Sequence, residues 1–195
     1  MLPDSWHGTL ILDGSFQSEK YFYDQREHIL DDFSLKDDSW LDSDCFAQEI
    51  ARTEHFIFLH VRSYKEVPGK ENGECALQMI DYYRNSVNYM NAHVPFGRLF
   101  VFSDDIEWAK AHVLSGVQRI SRLPITFNDV VSTQLRDFTL MRMCRHGIVA
   151  VSSFSWWAGW LGEQEYALRG KNAIRLRVNK GVKNADFWPD RWIAI

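Results

Sequence analysis

Short apolar runs alternate with longer stretches of helical periodicity from residue 52 onward. Apolar side chains fill both parities of 56–61, 98–102 and 147–151, which predicts strands that are buried on both faces. Residues 173–178, where arginines alternate with apolar side chains, are predicted as a fourth, partly exposed strand. Strands that alternate with helices are typical of βα units. The pattern therefore predicts an α/β fold with a parallel sheet.

Four helices are predicted around these strands. The segment 76–91 has an apolar stripe at helical spacing, and Pro95 follows its end. The other three helices are predicted at 106–114, 133–144 and 156–168.

The first fifty residues carry a different pattern. Residues 9–12 are predicted as a strand, Gly14 as a turn and 18–33 as a helix. The side chains of this helix that are predicted to face inward are Tyr21, Phe22, Ile29 and Leu30. The segment is too short to be a complete domain. It is either a flank of the α/β unit or the edge of an upstream domain.

The formal net charge of −4 hides an asymmetry along the 195 residues. Residues 1–50 hold 3 basic and 12 acidic side chains, whereas residues 51–195 hold 19 basic and 14 acidic side chains. The acidic surplus, concentrated in 31–32 and 37–44, is predicted to be a solvated surface. The modestly basic remainder suits a phosphorylated small ligand better than a nucleic acid, which requires a denser stripe of lysine and arginine.

Several classes of site and location are excluded or disfavoured by the sequence. It contains no GxGxxG, P-loop, GxSxG or HExxH motif. The three cysteines are too far apart for a CxxC pair and the seven histidines lack ligand spacing, so no metal site is predicted. No apolar run approaches the roughly 18 residues that cross a bilayer, and the first residues do not open a signal peptide. The expected location is therefore cytoplasmic.

Three predicted strands end in unusually polar residues. These are His60 and Arg62 after the first, Ser103, Asp104 and Asp105 after the second, and Ser152, Ser153, Phe154 and Ser155 after the third. The carboxyl ends of parallel strands meet at one edge of the sheet, where open α/β sheets bind ligands. Free N–H groups at the amino end of a helix attract anions, so an arginine opposite such an end would complete a diphosphate clamp.

Each of these residues also has an ordinary structural interpretation. Ser155 is also explained as the cap of a helix, and the Asp104–Asp105 pair as the cap and first turn of the next helix. Arg62 is also explained as one partner of a surface ion pair. His60 fits a hydrogen-bonded core histidine. Their coincidence at one edge of the sheet favours a ligand site, because structure alone does not require polarity at every strand exit.

Four segments resemble glycosyltransferase family 11, the alpha-1,2-fucosyltransferases. They are GSFQSEKYF at 14–22, HVR at 60–62, FSDDIEW at 102–108 and SSFSWWAGWL at 152–161. Their order and spacing match the family, and the last segment is highly specific. The family's first motif reads HxRRxD, whereas Ser63 here replaces the second arginine and Lys65 replaces the aspartate.

The resemblance implies a GT-B architecture with a Rossmann-like parallel sheet, helices on both faces and an incomplete first domain. Residues 1–50 would be a remnant of the acceptor-side domain, and residues 51–195 the donor-binding domain. The implied reaction transfers L-fucose from GDP-fucose to the 2-hydroxyl of a galactose-terminated glycan, with inversion and without a metal or cofactor. It would serve glycan or surface polysaccharide synthesis, and peripheral membrane association stays open.

The resemblance also implies roles for the nine strand-exit residues, which would form the donor site. Arg62 would stabilise the diphosphate leaving group together with N–H groups and hydroxyls at 153–155. Asp104 or Asp105 would accept a hydrogen bond from guanine or ribose. The catalytic base is unassigned, with Glu19 and Asp105 available and an absent acceptor half as another source. One alternative is a truncated, weakly active or inactive member that only binds a nucleotide sugar. Another is a glycan-binding module that uses exposed tryptophans.

Overall fold

Six parallel strands form one sheet in the computed structural model, which describes residues 7–9, 11, 13–14, 16–69, 73–128, 132–179 and 186–195. The strands are β1 (Phe56–Val61), β2 (Arg98–Ser103), β3 (Ile125–Phe127), β4 (His146–Ile148), β5 (Arg175–Arg177) and β6 (Ile193–Ala194). Their order across the sheet is β3-β2-β1-β4-β5-β6. This topology confirms the predicted α/β class and is consistent with a Rossmann-like sheet of the GT-B type.

Helices connect these strands and flank the sheet. They are α1 (Arg26–Asp32), α2 (Cys45–Arg52), α3 (Glu74–Leu77), α4 (Ile80–His93), α5 (Ile106–Ala109), α6 (Ser115–Ile120), α7 (Gln134–Met143) and α8 (Ser153–Leu168). A π-helical turn at Lys110–Leu114 joins α5 to α6. The predicted helix at 76–91 is thus divided into α3 and α4. No helix among the described residues combines the length and apolarity needed to span a bilayer.

The central strand β1 is buried on both faces, as its sequence predicts. Ile57 and Leu59 enter a core with side chains of α4 and α6, whereas Phe56 and Phe58 enter a second core with α7 and α8. Alternate side chains of a strand point to opposite faces, so an apolar run of both parities requires a layer of helices on each side. The two cores supply that layer on both faces of the sheet.

Glycine permits close packing at β4 and α8. A Cβ atom on Gly147 would lie 2.3 Å from the ring of Phe58, and one on Gly162 would lie 2.3 Å from the carbonyl oxygen of Arg142. Both distances are far below van der Waals contact, so a larger residue would force the backbone or ring to move. The packing of α8 against α7 therefore depends on the absence of a side chain at Gly162.

The predicted helix at 18–33 is only partly correct. Single 3-10 turns at Glu19–Tyr21 and Tyr23–Gln25 precede α1, and the backbone of Phe22 between them is neither helical nor extended, with φ at −141° and ψ at 10°. Phe22 leaves the helical path because its ring packs against tryptophans of α8. Tyr21, predicted to face inward, is 68% exposed. A tertiary contact therefore overrides the local periodicity here.

The acidic stretch at 37–44 is not simply a solvated surface. It contains a 3-10 turn at Ser39–Asp42, and Asp44 caps α2 by accepting from the backbone N–H of Phe46 and Ala47. The same carboxylate accepts from Nε of Arg136 at 2.6 Å, which ties α2 to α7. Helix α2, which the hydrophobic pattern does not predict, follows this cap directly.

Other differences concern the short strands. The edge strands β3 and β6 were not predicted, and the strand predicted at 147–151 is limited to β4. Of the strand predicted at 9–12, Leu10 and Leu12 lie outside the described residues, and the described residues Thr9 and Ile11 are not in a strand.

Residues 16–50 contribute side chains to the core beneath α7 and α8. The division into domains at residue 50 stays a prediction.

Candidate functional site

The strand order identifies a crevice at the carboxyl edge of the sheet. From β1 the chain proceeds to β2 and β3 on one side, and from β4 it proceeds to β5 and β6 on the other. Ligands of open α/β sheets bind where the strand order reverses in this way, between the carboxyl ends of β1 and β4. A cavity of about 660 Å³ opens at this position. This volume is typical of a small-molecule site.

The cavity brings together most of the residues that the sequence predicted. Seven of the nine strand-exit residues line it: His60, Arg62, Ser103, Asp104, Ser152, Ser153 and Phe154. The three loops that follow β1, β2 and β4 therefore meet around one space. Asp105 and Ser155 do not line it.

Asp105 and Ser155 occupy supporting positions. Asp105 caps α5 by accepting from the backbone N–H of Trp108 at 2.9 Å and forms an ion pair with Lys65 at 2.7 Å. These two donors lower the pKa of Asp105 below its ordinary value. Ser155 is fully buried in the first turn of α8, and its hydroxyl has no partner among the described residues.

His60 is buried in the wall of the cavity with an unpaired ring nitrogen. It is 4% exposed, its Nδ1 has no partner among the described residues, and its ring centroid lies 5.9 Å from that of Phe154. Burial, assisted by Arg62 and opposed by Asp104, lowers its pKa to about 4. The ring is therefore neutral at physiological pH. A buried polar atom without a partner is costly, which points to a ligand group that completes it.

Asp104 organises the loop that follows β1. It accepts from the backbone N–H and hydroxyl of Ser63, both at 2.8 Å, from the N–H of Tyr64 at 3.2 Å, and from the guanidinium of Arg62. Burial acts to raise its pKa, but the Ser63 hydrogen bonds and the Arg62 charge outweigh burial, so the pKa lies below its ordinary value. The ionised carboxylate thus holds Arg62 at the cavity.

Arg62 has a second anionic partner. Its guanidinium also contacts Glu66, and Cζ lies 5.1 Å from the ring centroid of Tyr64. Glu66 is on the exposed side of the cavity, where its side chain is 55% exposed. Exposed ion pairs contribute little to stability, so an incoming phosphate can replace this carboxylate.

The amino end of α8 provides a second group of donors. The backbone of Ser152 is extended and its hydroxyl makes no capping hydrogen bond. The N–H groups of Ser153, Phe154 and Ser155 have no acceptor among the described residues. The positive end of the helix dipole adds to these donors. These donors make this wall of the cavity suitable for an anion.

The lining of the cavity also contains residues that sequence reasoning missed. Ser132, Gln134 and Asp137, at the start of α7, line the cavity. Oδ1 of Asp137 accepts from Nδ2 of Asn128 at 2.6 Å and from the hydroxyl of Ser132, whereas Oδ2 has no hydrogen bond among the described residues. Burial raises the pKa of Asp137. In the sequence this carboxylate is indistinguishable from an acid in the first turn of an ordinary helix.

Glu19, one of the two candidate bases, lies in an ion-pair network away from the cavity. It accepts from Nε1 of Trp160 at 2.8 Å and from Nη1 of Arg191 at 2.6 and 2.8 Å. Asp105, the other candidate, pairs with Lys65. Both carboxylates are held by cations, and the catalytic base stays unassigned.

Comparison with known proteins agrees with these features. The family model described as Glycosyl transferase family 11 matches residues 2–192. The chain is 27% identical to an alpha-1,2-colitosyltransferase of Escherichia coli, over 98% of this chain and 64% of that protein. It is 26% identical to galactoside alpha-(1,2)-fucosyltransferase 1 of Homo sapiens, over 78% of this chain and 43% of that protein.

A third relative is the O-antigen biosynthesis glycosyltransferase WbnK of Escherichia coli, which is 26% identical over 77% of this chain and 50% of that protein. The chain thus spans between 43% and 64% of the length of these relatives. The match to the family model covers nearly all of the chain and includes every loop that lines the cavity. The chain belongs to glycosyl transferase family 11.

Proposed function

We propose that this protein transfers L-fucose from GDP-fucose to the 2-hydroxyl of a galactoside, with inversion, in glycan or surface polysaccharide synthesis. The relatives named for alpha-1,2 transfer of colitose and fucose support the choice of linkage, and the one named for fucose supports the choice of donor sugar. The observation that carries the proposal is the convergence of Arg62, neutral His60 and the amino end of α8 on one cavity. The reaction would take place in the cytoplasm or at a membrane surface.

The leaving group explains this arrangement. As the bond between fucose and GDP breaks, negative charge develops on the β-phosphate, and donors already aimed at that oxygen stabilise the transition state. Arg62 would supply charged donors from β1, and Ser153 and Phe154 would supply N–H groups from α8. Asp104 would keep the guanidinium in place during the reaction. The proposal invokes no metal: Arg62 and the N–H groups at the start of α8 are the donors offered to the diphosphate.

Asp137 would select guanine. Its free Oδ2 can accept from the N1–H and the exocyclic amine of guanine, whereas adenine presents an acceptor at N1. In Asp137→Asn an amide donor can face the N1–H, so we expect the preference for GDP over ADP to fall about tenfold. Calorimetric titration with both nucleotides measures this ratio. Asp81→Asn is the matched control, because Asp81 is 88% exposed on α4; an unchanged ratio in Asp137→Asn contradicts the assignment.

The proposed reaction is tested by incubating the purified chain with GDP-fucose and lactose, with and without EDTA. Appearance of a fucosylated product with an alpha-1,2 linkage in both conditions supports the proposal, including its independence of metal. Binding of GDP-fucose without transfer supports the alternative of an inactive member that only binds a nucleotide sugar. Binding of neither GDP nor GDP-fucose overturns both.

A further inference from the structure

A second, smaller cavity shares one lining residue with the candidate donor site. Five aromatic rings form most of its wall: Phe16, Phe22, Trp156, Trp157 and Phe187. Gln17, Ser18 and Ser153 supply its polar groups, and Ser153 also lines the larger cavity. The two cavities therefore share Ser153 at the amino end of α8, where the diphosphate is proposed to bind.

The segment at 16–22 that forms one side of this cavity is firmly anchored. Phe22 stacks on Trp157 with ring centroids 5.0 Å apart, and Ser18 is only 3% exposed. The carboxylate of Glu19 accepts from the indole of Trp160 on α8 and from Arg191 near the end of the chain. A binding surface that is fixed in advance costs little ordering entropy when a ligand arrives.

Phe16 has an unusual conformation at the edge of this cavity. Its φ angle is +44°, in the left-handed region that bulky side chains rarely adopt, and its side chain is 45% exposed. Its ring meets Tyr21 edge to face, with centroids 5.6 Å apart. This conformation keeps an aromatic ring in the cavity wall at a cost in backbone strain.

We infer that the smaller cavity is the subsite for the deoxyhexose of the donor. This inference rests on the proposed function, because the sugar is joined to the diphosphate that Ser153 and the amino end of α8 would bind. The volume of 280 Å³ equals about nine liquid waters at ~30 Å³ each, which is room for one pyranose ring but not for a nucleotide. The aromatic walls match the apolar face and methyl group of a 6-deoxysugar, and the serine hydroxyls match its ring hydroxyls.

Calorimetric titrations with GDP, GDP-L-fucose and GDP-L-galactose test the inference. GDP-L-galactose differs from GDP-L-fucose only by a hydroxymethyl group in place of the methyl group. Phe16→Gly removes the ring and relieves the backbone strain, so the variant is expected to fold. It should weaken GDP-L-fucose binding about three- to tenfold, reduce the discrimination against GDP-L-galactose, and leave GDP affinity unchanged.

Phe96→Gly is the control, because Phe96 is 88% exposed and is not among the residues that line either cavity; it should change none of the three affinities. Equal losses for GDP and GDP-L-fucose in Phe16→Gly, or no loss, would overturn the sugar subsite while leaving the proposed function in place. A change confined to the KM of the galactoside acceptor would also overturn it, by assigning the cavity to the acceptor. Failure of the wild-type chain to bind GDP would instead overturn the proposed function.

Discussion

Replacing Arg62 by alanine is expected to weaken GDP binding by about ten- to a hundredfold, as measured by calorimetry. Charged hydrogen bonds to a phosphate contribute about 1.5–3 kcal/mol, and no other arginine or lysine lines the cavity in the described part of the chain. Arg62→Lys should recover only part of the affinity. A single ammonium group cannot contact Asp104 and a phosphate with the fixed fork of a guanidinium.

Two further variants distinguish this role from a structural one. Arg84→Ala removes a half-exposed arginine on α4 and should leave GDP binding unchanged. Glu66→Gln removes the carboxylate that competes with phosphate for Arg62. GDP binding should become about threefold tighter, because the guanidinium no longer has to give up the Glu66 carboxylate before it contacts the phosphate. An unchanged dissociation constant in Arg62→Ala would exclude Arg62 from the phosphate site.

The centre of the sheet could be predicted from the sequence because its strands are buried on both faces. β1 and β2 are apolar at both parities, a pattern that surface elements do not show. β3 and β6 are edge strands of three and two residues, and they lack such a run. Their pairing depends on the neighbouring strand more than on their own composition.

The first fifty residues were harder to predict because tertiary contacts decide their structure. Phe22 interrupts the predicted helix in order to pack on α8, and Asp44 is fixed by Arg136, which lies ninety-two residues later in the chain. Neither partner can be identified from a single local pattern. The acidic composition of this segment indicates that it is exposed, but it does not predict helix α2.

The position of the candidate site could be predicted from the strand topology. The carboxyl ends of β1, β2 and β4 meet at one edge, so the polar residues that leave them had to lie close together. The orientation of individual carboxylates could not be predicted. Both Asp104 and Asp137 line the cavity, but the carboxylate of Asp104 is occupied by the loop after β1, whereas Oδ2 of Asp137 has no hydrogen bond among the described residues.

The Arg175→Ala variant is expected to lose about 3–5 kcal/mol of stability, the largest effect on folding among the changes considered. The sequence predicted a partly exposed strand here, but Arg175 is 1% exposed. Its Nε donates to the carbonyl of Gly159 at 2.8 Å and its Nη1 donates to that of Arg145 at 2.5 Å. Burial lowers its pKa to about 10, so the buried guanidinium stays charged at neutral pH.

Arg175 joins α8, the loop after α7 and β5 through backbone acceptors that no other described side chain contacts. Alanine would remove the charged hydrogen bonds to these carbonyls and leave a void beside Phe58, whose ring centroid lies 5.7 Å from Cζ. Arg175→Met fills the void but supplies no donor, so we expect it to lose about half as much stability. Urea denaturation measures both losses, with exposed Arg122→Ala as a control that should change stability by less than about 0.5 kcal/mol. Wild-type stability in Arg175→Met would show that packing, and not the hydrogen bonds to the carbonyls, is what Arg175 contributes to this junction.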